Sequence, residues 1–454
     1  MSLAVVTLAA GKGSRMKSAR PKVLHTLAGQ PMLGHVLDTA MSLSGAEQHV
    51  VIGHGADLIR EAFGATPVNW AVQSEQKGTG HAVAQALPAI SDDSVVLVLY
   101  GDVPLIRRDT LLPLVAAARA GNLGLLTVTL PDPGGYGRIV RDASGDVQAI
   151  VEHKDASQAQ RQIREVNTGI LAAPAARLKH WLPQLSADNA QGEYYLTDVI
   201  AMAVADGLQI VTHQPDSAAE VEGVNDRLQL ARLERIYQRQ LADELMRNGV
   251  ALMDPERLDI RGSLRVGDNV SIDVGCVFEG EVTLGNNVRI GPYNLIRNSR
   301  IGDGVEIESF CHIEQADVAS ACHLGPYARL RPGAELASGA RVGNFCEIKK
   351  SQIGEGAKVN HLSYIGDASV GANANIGAGT ITCNYDGVNK SRTEIGAGAF
   401  IGSNSALVAP VTIGTDATVG AGSVITRPVA DGELAVGRGK QRNISGWNRP
   451  VKKD

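Results

Sequence analysis

The glycine-rich segment at residues 8–16 reads LAAGKGSRM and combines a flexible backbone with positive charge. Gly11 and Gly13 would let backbone N–H groups approach a phosphate closely, and Lys12 and Arg15 would supply charge. The segment lacks the third glycine of a dinucleotide-binding G-x-G-x-x-G pattern, and it is not a Walker A loop. Taken alone, it is either an anion-binding loop or an ordinary structural turn.

Further polar residues of the N-terminal half follow apolar runs. Lys22 adds a cation close behind the first loop, and Gln73 precedes a second flexible turn at residues 78–80. The Tyr-Gly-Asp sequence that ends at Asp102 follows the apolar run 94–99. A carboxylate at the end of a buried strand is costly unless it binds something, and Mg²⁺ is a common partner. The alternative role for Asp102 is a helix cap.

A histidine in the C-terminal half has the chemistry of a general base. His361 lies in the Asn-His-Leu-Ser-Tyr sequence at 360–364, where the surrounding repeat has small or aliphatic residues. The pKa of histidine is near neutral pH, which suits proton removal from an amine nucleophile. A surface histidine without a role is the alternative. Cations and polar groups that could bind a phosphorylated sugar occur near it in sequence, namely Arg331, Lys349, Tyr364, Asn375, Asn384 and Tyr385.

The elements that would position the N-terminal residues alternate in character. Apolar runs at 3–10, 49–52, 94–99 and 123–129 alternate with amphipathic segments such as 33–42 and 80–87. This alternation predicts a Rossmann-like α/β domain with a largely parallel sheet. Ligands of such sheets bind beyond the carboxyl ends of the strands, where the glycine-rich and acidic motifs fall.

A long amphipathic helix is predicted next. Leucines and other apolar residues recur at helical spacing through 225–249, with Asn225 as its cap and Gly249 as its stop. The sequence therefore predicts a nucleotide-binding domain at 1–224, a linker helix at 225–249 and a second domain at 250–454.

The second domain follows a six-residue period. An apolar residue recurs every six positions, as in Val266–Ile296, Leu324–Ile348 and Ile395–Ile425. Such hexapeptides predict a left-handed parallel β-helix in which three repeats form one triangular turn and the apolar residue points inward. The 51 glycines and the 4% aromatic content fit tight corners around a narrow core. The period fails at 382–393, which predicts a projecting loop with a functional role.

Composition narrows the class of protein. The net charge of −5 argues against a nucleic-acid partner. The five cysteines are odd in number and have no zinc-site spacing, so we expect each to be a reduced, buried thiol. Residues 3–10 make a poor leader peptide, and no apolar run has membrane-spanning length, so we expect a cytoplasmic protein without a membrane partner.

The N-terminal motifs resemble the sugar-nucleotide pyrophosphorylases. The matching sequences are LAAGKGSRM, PKVL at 21–24 and YGD at 100–102, with a serine at 14 where the family usually has threonine. The resemblance implies Mg²⁺ bound by Asp102 and Asn225, and UTP phosphates bound by Arg15 and Lys22 as catalytic groups. It implies nucleotide or sugar contacts from Leu8, Ala9, Ala10, Gly11, Gln73, Gly78, Thr79, Tyr100, Gly101, Gly137, Glu152 and Asn167.

The C-terminal motifs resemble the acetyltransferase half of the bifunctional acetyltransferase–uridylyltransferase family of UDP-N-acetylglucosamine synthesis. The matches are RLRPGA at 329–334, GNFCEIKK at 343–350 and NIGAGTITCNYDG at 375–387. The resemblance implies that His361 deprotonates glucosamine 1-phosphate, which attacks acetyl-CoA. It assigns the sugar phosphate to Arg331, Lys349, Tyr364 and Asn375, and acetyl-CoA to Ala378, Asn384, Tyr385, Ser403, Ala421 and Arg438.

The resemblance also implies a homotrimer with the acetyl site between β-helices, and a product used in peptidoglycan and lipopolysaccharide synthesis. N-acetylglucosamine 1-phosphate would then be the acceptor for uridylyl transfer from UTP. Two alternatives remain at this stage. One is a nucleotidyltransferase with a non-catalytic β-helix, the layout of ADP-glucose pyrophosphorylases. The other is a non-enzymatic exchange-factor subunit that reuses both folds.

Overall fold

The computed structural model describes residues 1–452, so the last two residues of the predicted 250–454 domain lie outside the described part. The chain divides into two compact units, one ending at Tyr237 and the other beginning at Gln238. The predicted linker helix is present as Arg227–Arg247, and the division between the units falls within it.

The N-terminal unit is built on a mixed sheet. Leu3–Ala9 lies centrally and pairs in parallel with both Ala46–Ile52 and Val95–Tyr100. Glu165–Pro174 runs antiparallel between its neighbours, so the sheet is less uniformly parallel than its sequence pattern indicates. The strand order is Ile210–His213, Leu123–Thr129, Glu165–Pro174, Val95–Tyr100, Leu3–Ala9, Ala46–Ile52, Asn69–Val72, with Arg138–Arg141 and Val147–Val151 attached beside Glu165–Pro174.

Continuous apolar runs form the central strands because both faces of the sheet are covered. Leu3 and Val5 pack into one core cluster, whereas Ala4 and Val6 pack into another on the opposite face. The covering helices are Met32–Met41, Ala56–Ala62, Thr79–Ala86, Arg108–Arg119, Ala175–Trp181 and Val199–Ala205, and a small hairpin joins Thr26–Leu27 to Gln30–Pro31.

The first turns of the long helix pack on the loop that the sequence assigned to phosphates. Leu233 is fully buried and shares a core cluster with Met16, the last residue of that loop. The predicted cap is wrong by one residue: the Asp226 carboxylate accepts from the backbone N–H of Gln229 at 2.9 Å. The Asn225 side chain is used elsewhere, as described below.

The C-terminal unit is a triangular stack of short parallel strands. Face 1 is an eleven-stranded sheet within the described residues, with the strands Ala251–Leu252, Ser271–Ile272, Arg289–Ile290, Glu306–Ile307, His323–Leu324, Arg341–Asn344, Lys358–His361, Asn375–Ile376, Phe400–Ile401, Thr418–Val419 and Leu434–Ala435. Face 2 contains Leu295–Arg297, His312–Glu314, Arg329–Leu330, Glu347–Lys349, Tyr364–Gly366, Ile381–Cys383, Ala406–Val408 and Val424–Ile425. Face 3 contains Arg300–Ile301, Ala316–Val318, Ala334–Leu336, Ser351–Ile353, Ala368–Val370, Thr393–Ile395 and Val411–Ile413, and both Leu258–Val266 and Cys276–Leu284 run across faces 2 and 3.

Successive turns place identical positions above one another. Ile296 pairs with Ile313, and Leu330 pairs with Ile348, so one turn takes 17 or 18 residues, as three hexapeptides require. These side chains are essentially inaccessible to solvent. Burial of each aliphatic side chain contributes about 1.5–3 kcal/mol, which is how a narrow core stabilises a long stack.

Two expectations for this unit need correction. The projecting segment is shorter than predicted, since residues 382–383 and 393 still belong to strands and only 384–392 leave the stack. Cys276, Cys311, Cys322 and Cys346 are buried, whereas Cys383, next to the projecting segment, is partly exposed. None of the helices within residues 1–452 is both long and apolar enough to cross a bilayer.

Candidate active sites

A cavity of about 500 Å³ opens at the carboxyl ends of the N-terminal strands. It is lined by Leu8, Ala9, Ala10, Gly11, Lys12, Lys22, Val23, Gln73, Gln76, Gly78, Thr79, Ala82, Tyr100, Asp102 and Glu193. Most residues that the sequence assigned to the nucleotide therefore share one cavity. Val23, Gln76, Ala82 and Glu193 were missed, because nothing in their spacing distinguishes them from their neighbours.

Four predicted residues meet at one end of this cavity. The Lys22 ammonium forms an ion pair with the Asp102 carboxylate and lies 3.4 Å from Asn225 Oδ1. Arg15 donates to the same Asn225 oxygen at 2.9 Å. Two cations, a carboxylate and an amide oxygen thus face one another, which is suited to a polyphosphate with a divalent cation.

Local backbone geometry explains this convergence. Gly13 has φ +60°, and a Cβ atom there would lie 2.6 Å from the Lys22 Cβ, so glycine lets the two loops approach. Asp102 is brought to Asn225 by the backbone hydrogen bond from Val224 N to Asp102 O, 2.9 Å long. The site therefore joins three stretches that are distant in sequence.

The predicted sugar residues form a neighbouring group. Asn167 donates its backbone N–H to Gly137 O at 2.8 Å, and Gly137 lies against the Glu152 carboxylate. Burial raises the pKa of Glu152 above its ordinary value, against the opposing hydrogen bond from Thr197. Tyr100 connects this group to the cavity, because the buried phenol bonds to Thr79 and also lies near Glu152.

Arg138 was missed by the sequence reasoning. Arg138 is 1% exposed, yet within residues 1–452 its guanidinium donates hydrogen bonds to uncharged acceptors and to no carboxylate, namely to the carbonyl of Tyr136 and Nδ1 of His153. A buried charge without a carboxylate is costly. Because Arg138 bonds to both segments that carry Gly137 and Glu152, it ties the two sides of the sugar group together.

The residues at the phosphate end fit Mg²⁺. Among the described residues, no group of three or more His, Cys, Asp or Glu side chains could enclose a metal. Asp102 and Asn225 instead offer one carboxylate and one amide oxygen. Magnesium usually takes only one or two protein ligands of this kind and completes its shell with water and phosphate oxygens.

The second site lies on the outside of the β-helix, around His361. Its Nδ1 is 2.7 Å from Oδ1 of Asn344, the residue at the same position one turn earlier. An amide oxygen accepts only, so Nδ1 donates and the lone pair of Nε2 is left to accept a proton. The ring is exposed, as a base that must meet a substrate requires.

Face 2 carries a ladder of alternating charge that leads toward Arg331 and Lys349. Glu279 bonds to Arg261 at 2.9 Å and to Arg297 at 2.7 Å, and Arg297 reaches Glu314 at 3.3 Å. The next positions on the same column are Arg331 and Lys349, two cations in succession. The alternation of charge along this column therefore ends at Arg331, although Arg331 forms an ion pair with Glu347 on a neighbouring column, at 2.8 Å.

Lys390, on the projecting segment, was also missed. Its ammonium lies close enough to Lys349 to lower the pKa of Lys349, with a smaller contribution from Arg331. Three cations in one place favour an anion such as a sugar phosphate. The sequence motifs around His361 give no reason to select Lys390, because only the folding of the 384–392 loop brings it close to Lys349.

Asn384 joins the loop to face 2. Its amide donates to the Asp367 carboxylate and lies 3.5 Å from the Tyr364 hydroxyl. Tyr385 is exposed on the loop and pairs through its backbone with Lys390. Tyr364, Lys349, Arg331 and Asn384 therefore occupy one patch of face 2.

The predicted acetyl-CoA residues continue the column of Asn344 and His361 along the corner between faces 1 and 2. Asn404 N donates to Ala378 O at 2.7 Å, and Gly422 N donates to Ser403 O at 2.8 Å, so Ala378, Ser403 and Ala421 stack on successive turns. Arg438 donates to the Ala421 carbonyl. Asn375 is separate, since it lies on face 1 beside Lys358 and Phe400.

Comparison with known proteins gives a family match in each half of the chain. A MobA-like NTP transferase domain model matches residues 5–181, and a bacterial transferase hexapeptide model matches 264–298 and 392–427. Fold and sites thus define a two-part transferase, a nucleotidyltransferase followed by a hexapeptide β-helix.

Full-length relatives identify the family. The protein is 61% identical to the bifunctional protein GlmU of Marinobacter nauticus, over 99% of each chain. It is 61% and 60% identical to those of Saccharophagus degradans and Cellvibrio japonicus, over 99% of this chain and 100% of each relative. The chain belongs to the bifunctional GlmU family. It is an enzyme with glucosamine-1-phosphate acetyltransferase and N-acetylglucosamine-1-phosphate uridylyltransferase activities, so both alternatives raised by the sequence are wrong.

Proposed function

We propose that acetyl transfer takes place at His361 on the β-helix and that uridylyl transfer takes place in the N-terminal cavity. The observation that carries the first assignment is the His361–Asn344 hydrogen bond, which leaves Nε2 to accept a proton, and a cluster of three cations on face 2 and its loop supports it. Arg331, Lys349 and Lys390 bind the sugar phosphate, together with Tyr364. Ala378, Ser403, Ala421 and Arg438 bind acetyl-CoA, with Asn384 and Tyr385 near the acetyl group.

In acetyl transfer, Nε2 of His361 takes a proton from the amine of glucosamine 1-phosphate as the nitrogen attacks the thioester carbon. A C–N bond forms, the C–S bond breaks, and the coenzyme A thiolate leaves with a proton. Asn344 holds the imidazole in the tautomer that can accept the proton. Such general-base catalysis supplies about 10²–10⁴-fold in rate.

In uridylyl transfer, a phosphate oxygen of N-acetylglucosamine 1-phosphate attacks the α-phosphorus of UTP. A P–O bond forms on one side as the bond to pyrophosphate breaks on the other. No general base is needed, because the attacking oxygen is already an anion. Lys22 and Arg15 orient the phosphates and stabilise the charge that develops in the transition state. Gly137, Glu152 and Asn167 hold the sugar.

Asp102 and Asn225 would hold Mg²⁺ at the phosphate end of the cavity. The metal ion would neutralise charge on the triphosphate and on the leaving pyrophosphate. Lys22, which contacts both Asp102 and Asn225, is then available to a phosphate oxygen once the carboxylate has another cation.

We further propose a homotrimer whose acetyl site needs two copies. Asn375 and Lys349 each lie four residues from the corner between faces 1 and 2, on opposite sides of it. At about 3.3 Å per residue, each is roughly 13 Å from the corner, too far apart for one sugar phosphate to contact both within a chain. Face 1 of one copy against face 2 of another would bring them together.

The remaining assignments concern context. The cytoplasm is the proposed location, in keeping with five cysteines that form no disulfide in the described residues. The proposed boundaries stay at 1–224 for uridylyl transfer and 250–454 for acetyl transfer, joined by the helix. UDP-N-acetylglucosamine would serve cell-wall peptidoglycan and lipopolysaccharide synthesis.

The test is one reaction mixture that contains glucosamine 1-phosphate, UTP, Mg²⁺ and acetyl-CoA, with chromatography of the sugar nucleotide. We expect UDP-N-acetylglucosamine to form only when acetyl-CoA is present. A parallel mixture with N-acetylglucosamine 1-phosphate should give product without acetyl-CoA. Product from the second mixture alone would leave the cavity assignment standing and refute the role of His361.

A further inference from the structure

Thr382 interrupts an otherwise apolar column inside the β-helix. The positions stacked on it are Ile260, Phe278, Ile296, Ile313, Leu330, Ile348, Ile365, Leu407 and Ile425, all buried. Thr382 is the one polar member of this column in the part of the chain that the structure describes, and it is 0% exposed. A hydroxyl in place of an aliphatic group costs free energy unless it makes hydrogen bonds that the core needs.

The strand pairing is incomplete at this turn. Glu347–Lys349 pairs with Tyr364–Gly366 at three positions. Tyr364–Gly366 in turn pairs with Ile381–Cys383 at one position, where Tyr364 lies opposite Ile381. In a continuing register, the Gly366 carbonyl would accept from the backbone N–H of Asn384. That N–H instead donates to the carbonyl of Thr382 at 3.0 Å, which starts the projecting loop.

The Thr382 hydroxyl takes the place of the missing pairing. Its Oγ1 accepts from Gly366 N at 2.8 Å and lies 3.1 Å from Gly366 O, to which it can donate. Gly366 is buried, and its backbone N–H and carbonyl would otherwise lack hydrogen-bond partners, which destabilises the fold. The hydrogen bonds of the Thr382 side chain thus allow the strand pairing to end at this residue without leaving buried backbone groups unsatisfied.

The place where the strand pairing ends lies between two parts of the proposed acetyl site, the Tyr364 side chain and the loop that begins at Asn384. The Tyr364 phenol lies over Gly366, where a Cβ atom would collide with the ring. Asn384 begins the loop that carries Tyr385 and Lys390. The bond between Thr382 and Gly366 therefore fixes the place at which the loop leaves face 2 relative to Tyr364.

We propose that Thr382 is a positioning residue for acetyl transfer, which holds Tyr364 and the loop from Asn384 in register through Gly366. This inference rests on the proposed assignment of Tyr364 and Asn384 to the acetyl site. It predicts that sugar-phosphate binding depends on a hydroxyl that lies inside the core and touches no substrate.

The test compares Thr382→Val, which keeps the shape and loses the hydroxyl, with Thr382→Ser, which keeps the hydroxyl. In the full-length enzyme, we expect the valine variant to raise the KM for glucosamine 1-phosphate about tenfold and to lower kcat, because misplaced contacts weaken substrate binding and alignment. The serine variant should stay within about twofold of the unaltered enzyme, since it retains the hydrogen bonds. Uridylyl transfer, measured on the same samples, should not change in either.

Ile313→Val is the matched control, because it shortens a side chain of the same column four turns earlier without removing a hydrogen bond. It should lower the melting temperature and leave the KM unchanged. A valine variant with lower kcat but unchanged KM would show lost folded enzyme and overturn the proposal, as would equal defects in the valine and serine variants. His361→Ala distinguishes a failure of the proposed acetyl site from a failure of the role proposed for Thr382. If His361→Ala acetylated normally, the site assignment would be wrong. If His361→Ala were inactive and Thr382→Val were normal, only the role of Thr382 would be refuted.

Discussion

The two candidate sites differ in how the chain surrounds its substrates. The N-terminal site is a cavity of about 500 Å³, assembled from loops that are remote in sequence. The acetyl residues instead lie on the outer surface of a stack, one turn above another. In the sugar group next to the cavity, burial raises the pKa of Glu152, whereas on the stack neighbouring positive charge lowers the pKa of Lys349. The cavity site therefore depends on desolvation and the stack site on charge and alignment.

The test with the largest expected effect removes His361, the proposed general base on the β-helix. His361→Ala should lower acetyl transfer by about 10²–10⁴-fold and leave uridylyl transfer unchanged, because a lost general base affects one reaction only. The measurement is the rate of each half-reaction on the same protein sample. His323→Ala, which removes another partly exposed histidine of face 1, should leave both rates unaltered. A loss of both activities in folded His361→Ala would show that the sites are not separate.

The converse test acts on the cavity. Asp102→Ala should reduce uridylyl transfer by about 10²–10³-fold, since it removes the carboxylate ligand of the proposed metal, which would stabilise the charge on the phosphates. Acetyl transfer should be normal. The dependence of the remaining rate on Mg²⁺ concentration should also weaken. Asp109→Ala, an exposed carboxylate in Arg108–Arg119, is the control, and a comparable defect there would remove the special position of Asp102.

A smaller effect is expected at the projecting loop. Lys390→Ala should raise the KM for glucosamine 1-phosphate about tenfold, the cost of one charge-assisted hydrogen bond. Because the stack is open to solvent, added salt should raise the KM of the unaltered enzyme and reduce its advantage over the variant. Arg300→Ala removes a cation from face 3 and should change nothing. An unaltered KM in Lys390→Ala would exclude this lysine from the phosphate site.

The sequence predicted the β-helix better than the α/β sheet for a physical reason. A six-residue period predicts which side chains point inward, so the sequence spacing alone indicates that Ile348 and Ile365 belong to the buried core. The antiparallel insertion of Glu165–Pro174 leaves no such mark, because a buried strand has the same apolar composition in either direction. The projecting loop was predicted, but its start was placed two residues too early and its end one residue too late. Thr382 has a side chain typical of loops and yet is buried in the core.

The candidate site residues also fall into two classes, those that the sequence alone could identify and those that only the folded structure reveals. Lys22 and Asp102 could be selected because charge beside glycine or after a buried strand is conspicuous. Arg138 and Lys390 could not, since their roles depend on partners brought together only by folding. Arg138 looks like the start of an ordinary strand until its burial without a carboxylate is seen. Asn375 shows a different error of sequence reasoning. The motif assigns it to the same site as Lys349 and Tyr364, but within one chain it lies on face 1 and they lie on face 2.

The smallest expected effect is on the pH dependence of stability, and it concerns Glu152 in the sugar group next to the cavity. Because the pKa of Glu152 is raised in the folded protein, the unfolded chain loses this proton first as pH rises, and stability falls between the two pKa values. Glu152→Gln should therefore raise the melting temperature of the N-terminal unit by a few degrees at neutral pH while weakening sugar binding. The gain should vanish below the ordinary glutamate pKa of about 4.3, where both states are protonated.

Glu165→Gln provides a control of opposite sign. Arg141 bonds to Glu165 at 2.8 and 2.7 Å and lowers the pKa of that carboxyl, so the stabilisation is present at neutral pH and is lost as pH falls through the depressed value. This variant should melt at a lower temperature at neutral pH. Thermal unfolding of both variants across a range of pH distinguishes burial from pairing as the cause. If Glu152→Gln shifted the melting temperature equally at every pH, desolvation of its carboxylate would not be what distinguishes the cavity from the stack.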